Sequence, residues 1–291
     1  MSRWPTRKPP GRVAYVDGRY LVHGEAGVHV EDRGLQLGDS IYEVFRIAGG
    51  RFLDEKEHLD RLERSVGEIE MAMPVGRAAL KLIAREVTRR NAVSEGLLYM
   101  QVTRGAAHRD HPIPNPSPKP TLIVTAHRLD TAAIARRRVE GVAVVTMPDQ
   151  RWARCDIKTT QLLANLLAKT AARRAGAFEV WLTDREGFVT EGASTTAWIV
   201  TQDGRLVTRN LTHAILPGVT RRILLQAAAE AKIPLEERAF TPAEAIAARE
   251  AFLTAASAAA IPIVTVDGHQ VGEGKPGPLT RRLADLYAAR S

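Results

Sequence analysis

Two short segments are central to the prediction of this protein's fold and chemistry: Arg154-Cys-Asp-Ile-Lys-Thr-Thr160 and Thr190-Glu-Gly-Ala-Ser-Thr-Thr196. The first holds Lys158 and the second holds Glu191. The chain has 8 lysines against 33 arginines, so a lysine in the first segment indicates a need for an amine rather than for charge alone. An arginine stays protonated, whereas a partly desolvated lysine can lose its proton and act as a nucleophile. We therefore predict chemistry at Lys158; the alternative is a solvated lysine at a strand end.

The length and composition are those of an ordinary globular protein. A chain of 291 residues with 45% apolar and 25% charged residues favours two domains. No apolar run approaches the ~20 residues that span a bilayer, and no apolar segment follows the basic N-terminus. We expect a cytoplasmic protein without a membrane partner. A single cysteine, Cys155, excludes an intrachain disulfide and a cysteine-cluster metal site, and no metal site is predicted.

The net charge of +8 raises the question of a nucleic-acid partner. Basic residues are mostly interleaved with acidic ones, and the tight basic cluster is Arg136-Arg137-Arg138. Aromatic residues make up 5% of the chain, which is few for a base-stacking surface, and no zinc-finger or RNA-recognition motif is present. We expect no nucleic-acid partner.

Apolar periodicity predicts a mixture of strands and helices. Residues 13–22 read as a hairpin around Asp17-Gly18, residues 40–47 as a strand, and residues 55–71 as an amphipathic helix. Residues 34–38 are predicted as a turn. The stretch between 126 and 140 loses apolar alternation and is rich in arginine and alanine, which indicates a linker. The mixture predicts an α+β fold with a smaller N-terminal α/β domain (1–127), an interdomain linker (128–136) and a larger C-terminal domain (137–291).

Six motifs in order along the chain resemble one known family. They are Asp32-Arg-Gly-Leu-Gln-Leu-Gly-Asp-Ser-Ile-Tyr-Glu43, His58-Leu-Asp-Arg-Leu62, Gln101-Val-Thr-Arg-Gly105, Asp156-Ile-Lys158, Thr190-Glu-Gly192 and Leu216-Pro-Gly-Val-Thr220. Each is weak alone, but together they resemble the class IV aminotransferases, which are fold-type IV pyridoxal-phosphate enzymes. The resemblance runs from about residue 13 to the C-terminus. It implies a C-terminal cofactor-binding domain with a β-barrel-like core.

The resemblance assigns the central chemistry to Lys158 and Glu191. Lys158 matches the Schiff-base lysine, which also moves the proton during transamination. Glu191 matches the carboxylate that faces the pyridine nitrogen of pyridoxal 5'-phosphate and keeps it protonated, so that the ring accepts electrons. The alternative for Glu191 is an ordinary glutamate in a turn.

Binding of the cofactor phosphate requires positive charge and backbone donors. Residues Gly218, Val219 and Thr220 stand at a predicted helix start, where amide N–H groups and the helix dipole favour an anion. Arg61 matches the family's phosphate arginine; the alternative is a solvated charge on a helix face. The other cofactor-binding positions implied by the resemblance are Leu216, Ser194, Thr195, Ala255 and Ala256. At Ala255 and Ala256 relatives often have Ser or Thr, so here only backbone contacts are available.

The substrate side is predicted from Tyr42, Arg109 and His111. Arg109 and His111 match the Arg-x-His pattern with which D-amino-acid aminotransferases, together with a tyrosine, hold the substrate α-carboxylate. A guanidinium pairs bidentately with a carboxylate, and an imidazole adds a hydrogen bond. In the family this loop reaches into the neighbouring active site, so the resemblance implies a homodimer. The alternative is a polar loop that contacts only water.

The predicted activity is ping-pong transamination between a D-amino acid, such as D-alanine or D-glutamate, and a 2-oxo acid. Three alternatives share Lys158, Glu191 and the phosphate site: a branched-chain L-amino-acid aminotransferase, an (R)-amine transaminase and an aminodeoxychorismate lyase. An alternative of another class is a cofactor-free basic binding protein, since a fold does not guarantee an activity.

Overall fold

The computed structural model describes residues 11–290, and the chain divides into two compact units. The first unit holds the residues up to Leu129 together with Ile157–Gln161, and the second holds Asp130–Asp156 and the residues from Leu162 onward. The first ten residues of the predicted N-terminal domain lie outside the described residues. Lys158, which the sequence prediction placed within residues 137–291, belongs to the first unit.

The first unit is an antiparallel sheet with helices. Its strands are β1 (Val13–Val16), β2 (Arg19–Val22), β3 (Ser40–Ala48), β4 (Arg51–Phe52), β5 (Gly96–Thr103) and β6 (Thr121–Arg128), in the sheet order β2-β1-β6-β5-β3-β4. Its helices are α1 (Arg33–Leu37), α2 (Glu55–Glu68) and α3 (Arg77–Arg90). The predicted hairpin of β1 and β2 is confirmed, with positive φ at both Asp17 and Gly18 in its turn.

Strand β3 and helix α2 share one core, as their apolar spacing predicts. Ile41, Phe45 and Ile47 alternate along β3 and are buried. They belong to the same apolar cluster as Leu59 and Leu62 of α2. The opposite face of β3 is half-buried and carries Tyr42. The predicted strand and amphipathic helix are therefore confirmed.

Residues 33–37 form helix α1, and the prediction of a turn there was wrong. The Asp32 carboxylate accepts a hydrogen bond from the Gly34 N–H (2.8 Å) and caps the first turn. Gly38, with φ of 67°, ends the helix in the left-handed region. A helix of five residues is too short to show an apolar period. The pattern that remained was a glycine near each end of the segment, which is typical of a turn.

The second unit contains the remaining elements. Its strands are β7 (Val142–Pro148), β8 (Glu179–Thr183), β9 (Val189–Gly192), β10 (Thr196–Val200), β11 (Leu206–Thr208), β12 (Leu235–Glu237), β13 (Glu250–Ala255), β14 (Ala258–Val266) and β15 (His269–Gln270). Its helices are α4 (Thr131–Glu140), α5 (Leu163–Arg174), α6 (Val219–Glu230), α7 (Pro242–Ile246) and α8 (Pro278–Ala288).

The sheet of the second unit is curled. Its order is β12-β11-β10-β13-β14-β7-β8-β9, with β15 beside β14. Strands β9 and β10 are far apart in this order, yet three residues join them and the Gly192 N–H donates to the Thr195 carbonyl (2.7 Å). The six strands from β10 to β9 must therefore bend round, which produces the expected barrel-like core. The α+β prediction is confirmed.

Helix α4 occupies most of the stretch predicted as a linker. Asp130 caps it by accepting a hydrogen bond from the Ala133 N–H (2.9 Å), and Gly141 follows its last residue. None of its side chains is buried, and Arg137 lies over the Phe178 ring at 4.8 Å. A solvated helix has little apolar face, which is why the apolar pattern did not reveal it.

Two observations bear on membrane and metal binding. Within residues 11–290, no helix is long and apolar enough to cross a membrane. The same residues contain no group of three or more His, Cys, Asp or Glu side chains placed to hold a metal ion. Cys155 is buried, and its thiol donates to the Trp152 carbonyl (3.1 Å).

Candidate active site

Lys158 lies on a short segment that pairs with the start of β3. The Tyr42 N–H donates to the Lys158 carbonyl (3.0 Å), and the Thr160 N–H donates to the Ser40 carbonyl (3.3 Å). Lys158 itself is half-buried, with its Nζ 4.2 Å from the centroid of the Tyr42 ring. The Lys158 amine therefore lies over the face of an aromatic ring. The structure thus brings together Lys158 and Tyr42, which the sequence assigned to catalysis and substrate binding.

Tyr42 is itself held by an aromatic neighbour. Its ring stacks on that of Tyr99, with 5.6 Å between centroids and 27° between planes. Burial, with a smaller contribution from Tyr42, raises the pKa of Tyr99 to about 12. The Tyr99 hydroxyl donates to Gln101 (2.9 Å), and Gln101 donates to the Ser40 hydroxyl (3.1 Å). Tyr99 therefore stays a neutral phenol that fixes the position of Tyr42.

Arg61 is buried and bound to a carboxylate. Its Nε and Nη2 donate to the two oxygens of Glu43 at 2.7 and 2.9 Å, and His58 Nδ1 donates to Glu43 Oε2 at 2.8 Å. Burial raises the pKa of Glu43, but the charge and hydrogen bonds of Arg61, with help from His58, lower it to about 2. Arg61 is thus fixed as a cation and is not a solvated charge on a helix face.

Glu43 is a functional neighbour that the sequence interpretation missed. It lies on the core face of β3, between Ile41 and Phe45, and is completely buried. An acidic residue at an inward position of an alternating strand indicates a paired carboxylate. That signal was available, although it did not identify Arg61 as the partner.

Arg109 and His111 are exposed on an irregular loop of the first unit. The backbone of this loop is bound by a buried arginine that sequence reasoning also missed. Arg33 Nη1 donates to the Asp110 carbonyl (2.7 Å), and Nη2 donates to the His111 carbonyl (3.3 Å). Its Nε donates to Asp39 (2.8 Å). The predicted carboxylate-binding pair is therefore anchored through its backbone while its side chains face outward.

Glu191 lies in the second unit and is buried against a cation. Arg151 Nη1 donates to Glu191 Oε1, and the Leu216 N–H lies 3.2 Å from the same oxygen. Burial raises the pKa of Glu191, while Arg151 and the Leu216 N–H oppose that rise. Arg151 also donates to Asp149 (2.7 Å) and to the Ala214 carbonyl (3.1 Å). Glu191 is therefore a held carboxylate rather than a free glutamate in a turn.

Arg151 was missed because its partners are distant in sequence. It stands 40 residues before Glu191, and no period or motif links the two. Arg151 lies three residues before Arg154, at the start of the segment that holds Lys158, and this proximity was the only sequence feature that pointed to a role in the site.

The first turn of α6 offers backbone donors. Gly218 is its N-cap, with no side-chain cap hydrogen bond, and Thr220 is buried. A Cβ added to Gly218 would lie 3.1 Å from Thr196 Oγ1, so the helix starts against the first residue of β10. Thr196 pairs with Thr254, which directly precedes Ala255 and Ala256. The helix start and the β13–β14 turn, two predicted phosphate-binding segments, thus flank the same strand.

Ser194 and Thr195 direct their hydroxyls to a buried glutamate. Ser194 donates to Glu179 Oε2 at 2.8 Å and Thr195 donates to the same oxygen at 3.3 Å. Lys169 pairs with that oxygen as well (2.9 Å). These contacts stabilise the turn between Glu191 and β10, and sequence reasoning did not foresee Glu179.

The described groups fit a phosphorylated aromatic cofactor that reacts with an amine. The second unit presents a buried carboxylate suited to a ring nitrogen, and a helix start whose amides suit a phosphate. The first unit presents an amine over an aromatic ring and a buried arginine. Groups of these kinds are those that a pyridoxal-phosphate enzyme requires.

Comparison with known proteins identifies the family. The sequence model described as amino-transferase class IV matches residues 40–266, so the chain belongs to the class IV aminotransferases, whose cofactor is pyridoxal phosphate. The chain is 39% identical to a D-alanine aminotransferase of Bacillus licheniformis, over 92% of this chain and 93% of that protein. It is 36% identical to one of Listeria innocua, over 94% and 93% of the two chains.

Solved structures agree on the fold. The branched-chain amino acid aminotransferase of Escherichia coli superposes with a TM-score of 0.88 and 25% identity, covering 96% of this chain and 94% of that one. A hypothetical aminotransferase of Mycobacterium tuberculosis in its PLP-bound form gives a TM-score of 0.82 at 24% identity, covering 96% and 98%. These comparisons support the fold-type IV prediction.

Proposed function

We propose that this enzyme transfers an amino group between a D-amino acid, such as D-alanine or D-glutamate, and a 2-oxo acid by a ping-pong mechanism. One structural observation carries the proposal: the amine of Lys158 lies 4.2 Å from the ring of Tyr42, a predicted carboxylate-binding residue. The choice of D-amino acids is supported by the similarity to D-alanine aminotransferases along more than nine-tenths of the chain.

Lys158 and Glu191 would perform the central chemistry. When bound, pyridoxal phosphate supplies the carbonyl that receives the amino group and a ring that accepts electrons. Lys158 Nζ would hold the cofactor and would accept the proton that leaves the substrate Cα. Glu191 would stabilise a proton on the ring nitrogen. Burial raises the pKa of Glu191, and Arg151 opposes that rise.

Several groups would bind the phosphate. The amides of Gly218, Val219 and Thr220 and the Thr220 hydroxyl contribute donors, and the turn at Ala255 and Ala256 contributes backbone amides. Arg61 contributes charge, with Glu43 fixing its orientation. The Leu216 amide positions Glu191. We assign Ser194 and Thr195 to cofactor binding through the turn that they hold with Glu179.

Substrate binding is assigned to Tyr42, Arg109 and His111, which would hold the α-carboxylate. Arg109 and His111 are exposed in the single chain, which agrees with a homodimer in which the loop serves the neighbouring site. Helix α5 also exposes three leucines at helical spacing, Leu163, Leu166 and Leu167, as expected of a surface covered by a second copy. The cytoplasmic location stays a prediction.

A panel of amino donors tests the substrate. D-alanine with 2-oxoglutarate is expected to give pyruvate and D-glutamate, whereas L-alanine is expected to give neither. The runner-up is a branched-chain L-amino-acid aminotransferase, the activity named for the solved structure from Escherichia coli, and it would instead consume L-leucine and L-valine. Turnover of an (R)-amine or of aminodeoxychorismate would point to the two remaining relatives.

A lysine substitution tests the site. Lys158→Ala is expected to abolish the visible absorbance of the attached cofactor and its fixation to the protein by borohydride. Lys56→Ala, at an exposed lysine paired with Asp60, is the matched control and should retain both. Borohydride fixation that persists in Lys158→Ala would refute the assignment. A wild-type protein that takes up no pyridoxal phosphate would favour the cofactor-free binding protein.

A further inference from the structure

We propose that Arg33 is a positioning residue that holds the Arg109–His111 loop in its carboxylate-binding conformation. Arg33 is buried, with 3% of its surface exposed, although it lies beside a loop whose residues 108–111 are all exposed. Its Nη1 and Nη2 donate to the carbonyls of Asp110 and His111 at 2.7 and 3.3 Å. The inference rests on the proposed function, in which this loop binds the substrate carboxylate.

Other contacts between residues 31–33 and the loop do not reach Arg109 or His111. The Arg33 N–H donates to the Gly105 carbonyl (2.9 Å), the Ala107 N–H donates to the Glu31 carbonyl (3.3 Å), and Asp32 forms a bridge with Ala106. These contacts fix residues 105–107. For residues 108–111, the structure describes one further hydrogen bond, a local one from the His111 N–H to Asp110 Oδ1. The Arg33 side chain is therefore the long-range anchor of the part that carries Arg109 and His111.

A guanidinium is required because three acceptors must be reached at once. Arg33 Nε binds Asp39 Oδ2 at 2.8 Å while the two terminal nitrogens bind the loop carbonyls. A lysine ammonium keeps the charge but cannot reproduce this fork. Arg33→Lys is therefore expected to retain the pairing with Asp39 and to release the loop.

Asp39 connects this anchor to helix α2. The same Asp39 oxygen accepts from Arg104 Nε (2.7 Å). The terminal nitrogens of Arg104 donate to the carbonyls of Ile69 (2.6 Å) and Glu70 (3.1 Å), just beyond the end of α2. The loop is thus fixed to the helix that carries Arg61, through two arginines that share one carboxylate.

Release of the loop would weaken substrate binding rather than the chemical step. A loop that is already ordered loses less conformational entropy when it binds a carboxylate. Each hydrogen bond from a charged donor changes an equilibrium by about tenfold or more. We expect Arg33→Lys to raise the KM for both D-alanine and 2-oxoglutarate about 10- to 100-fold, with little change in kcat at saturation or in cofactor absorbance.

The experiment compares three variants in the cofactor-loaded enzyme. Arg33→Lys is measured for KM, kcat, cofactor content and amide hydrogen exchange over residues 106–113. Arg238→Lys is the matched control, because Arg238 also holds carboxylates and a backbone carbonyl, those of Glu236, Glu244 and Ala239. Arg109→Ala tests the proposed role of the loop itself. If Arg33→Lys does not fold, Asp39→Asn replaces it, with a rise in KM in the same direction.

Faster exchange at residues 108–111 together with the rise in KM supports the inference. A folded Arg33→Lys enzyme with wild-type exchange and KM overturns it. Equal losses of kcat and cofactor in Arg33→Lys and Arg238→Lys also overturn it, because they indicate general destabilisation. An unchanged KM in Arg109→Ala refutes the carboxylate role of the loop and hence the proposed function. Faster loop exchange in Arg33→Lys would still establish the anchor in that case.

Discussion

Replacement of Glu43 by glutamine should destabilise the first unit by about 3 kcal/mol at neutral pH. The carboxylate is completely buried, and its pKa is about 2 against an ordinary value of 4.5. A pKa shift of one unit corresponds to about 1.4 kcal/mol, so the lowered pKa of Glu43 corresponds to about 3 kcal/mol of stability. Loss of one partner from a buried ion pair costs about 3 to 5 kcal/mol, in agreement. The glutamine would leave Arg61 buried without its bidentate acceptor.

The sign of the pH dependence provides a second check. Because folding lowers the pKa of Glu43, its stabilisation is complete above pH 4.5 and disappears as the pH falls from 4.5 towards 2. The stability difference between wild type and Glu43→Gln should therefore be constant near neutral pH and be smaller by about 1 kcal/mol at pH 3.5.

The assay is urea unfolding of both proteins at pH 7 and pH 3.5, followed by amide exchange in β3 and α2. Glu63→Gln is the matched control, since Glu63 binds Arg77 bidentately (2.8 and 2.6 Å) but its side chain is 38% exposed. An exposed pair contributes about 1 kcal/mol or less. Equal effects of the two substitutions, or a Glu43→Gln effect that does not shrink at pH 3.5, would contradict the reasoning.

Two further predictions concern Arg151 and the dimer. Arg151→Met removes the cation that opposes the burial-raised pKa of Glu191, so we expect that pKa to rise further, with a fall in kcat that is partly recovered at higher pH; a pH–rate profile identical to wild type would argue against this. Mixing Lys158→Ala with Arg109→Ala subunits should restore about a quarter of wild-type activity, because half of the dimers are mixed and one of their two sites has both groups. No recovery after subunit exchange would place the loop in its own subunit's site.

The elements that were predictable from sequence are those with a strong local pattern. Strand β3 and helix α2 show apolar periods of 2 and 3.6, and the β1–β2 hairpin has Asp-Gly at its turn. Helix α4 was missed because none of its residues is fully buried and only Ala133, Ile134 and Arg137 are half-buried. Helix α1 was missed because five residues are too few to show a period.

The functional residues around the candidate site that were not predicted from sequence were missed for a different reason. Glu43, Arg151 and Arg33 each act through partners 18 to 78 residues away, and no local spacing records such a pairing. The motif resemblance pointed to Lys158 and Glu191, but motifs do not show which buried charges hold those groups in place. Identifying these residues required the fold, because the role of a buried charged side chain becomes clear only when the oppositely charged side chain that it contacts is known.

The path of the chain between the two units limits how this protein can be divided. The segment Ile157–Gln161 belongs to the first unit, although the second unit precedes and follows it in sequence. A gene fragment ending at Leu129 would encode β3 without the segment that pairs with its start, and a fragment starting at Asp130 would encode Lys158 without β3. Exchange of either unit among relatives must therefore carry two separate pieces of sequence, and a single crossover after Leu129 separates the reactive lysine from its support.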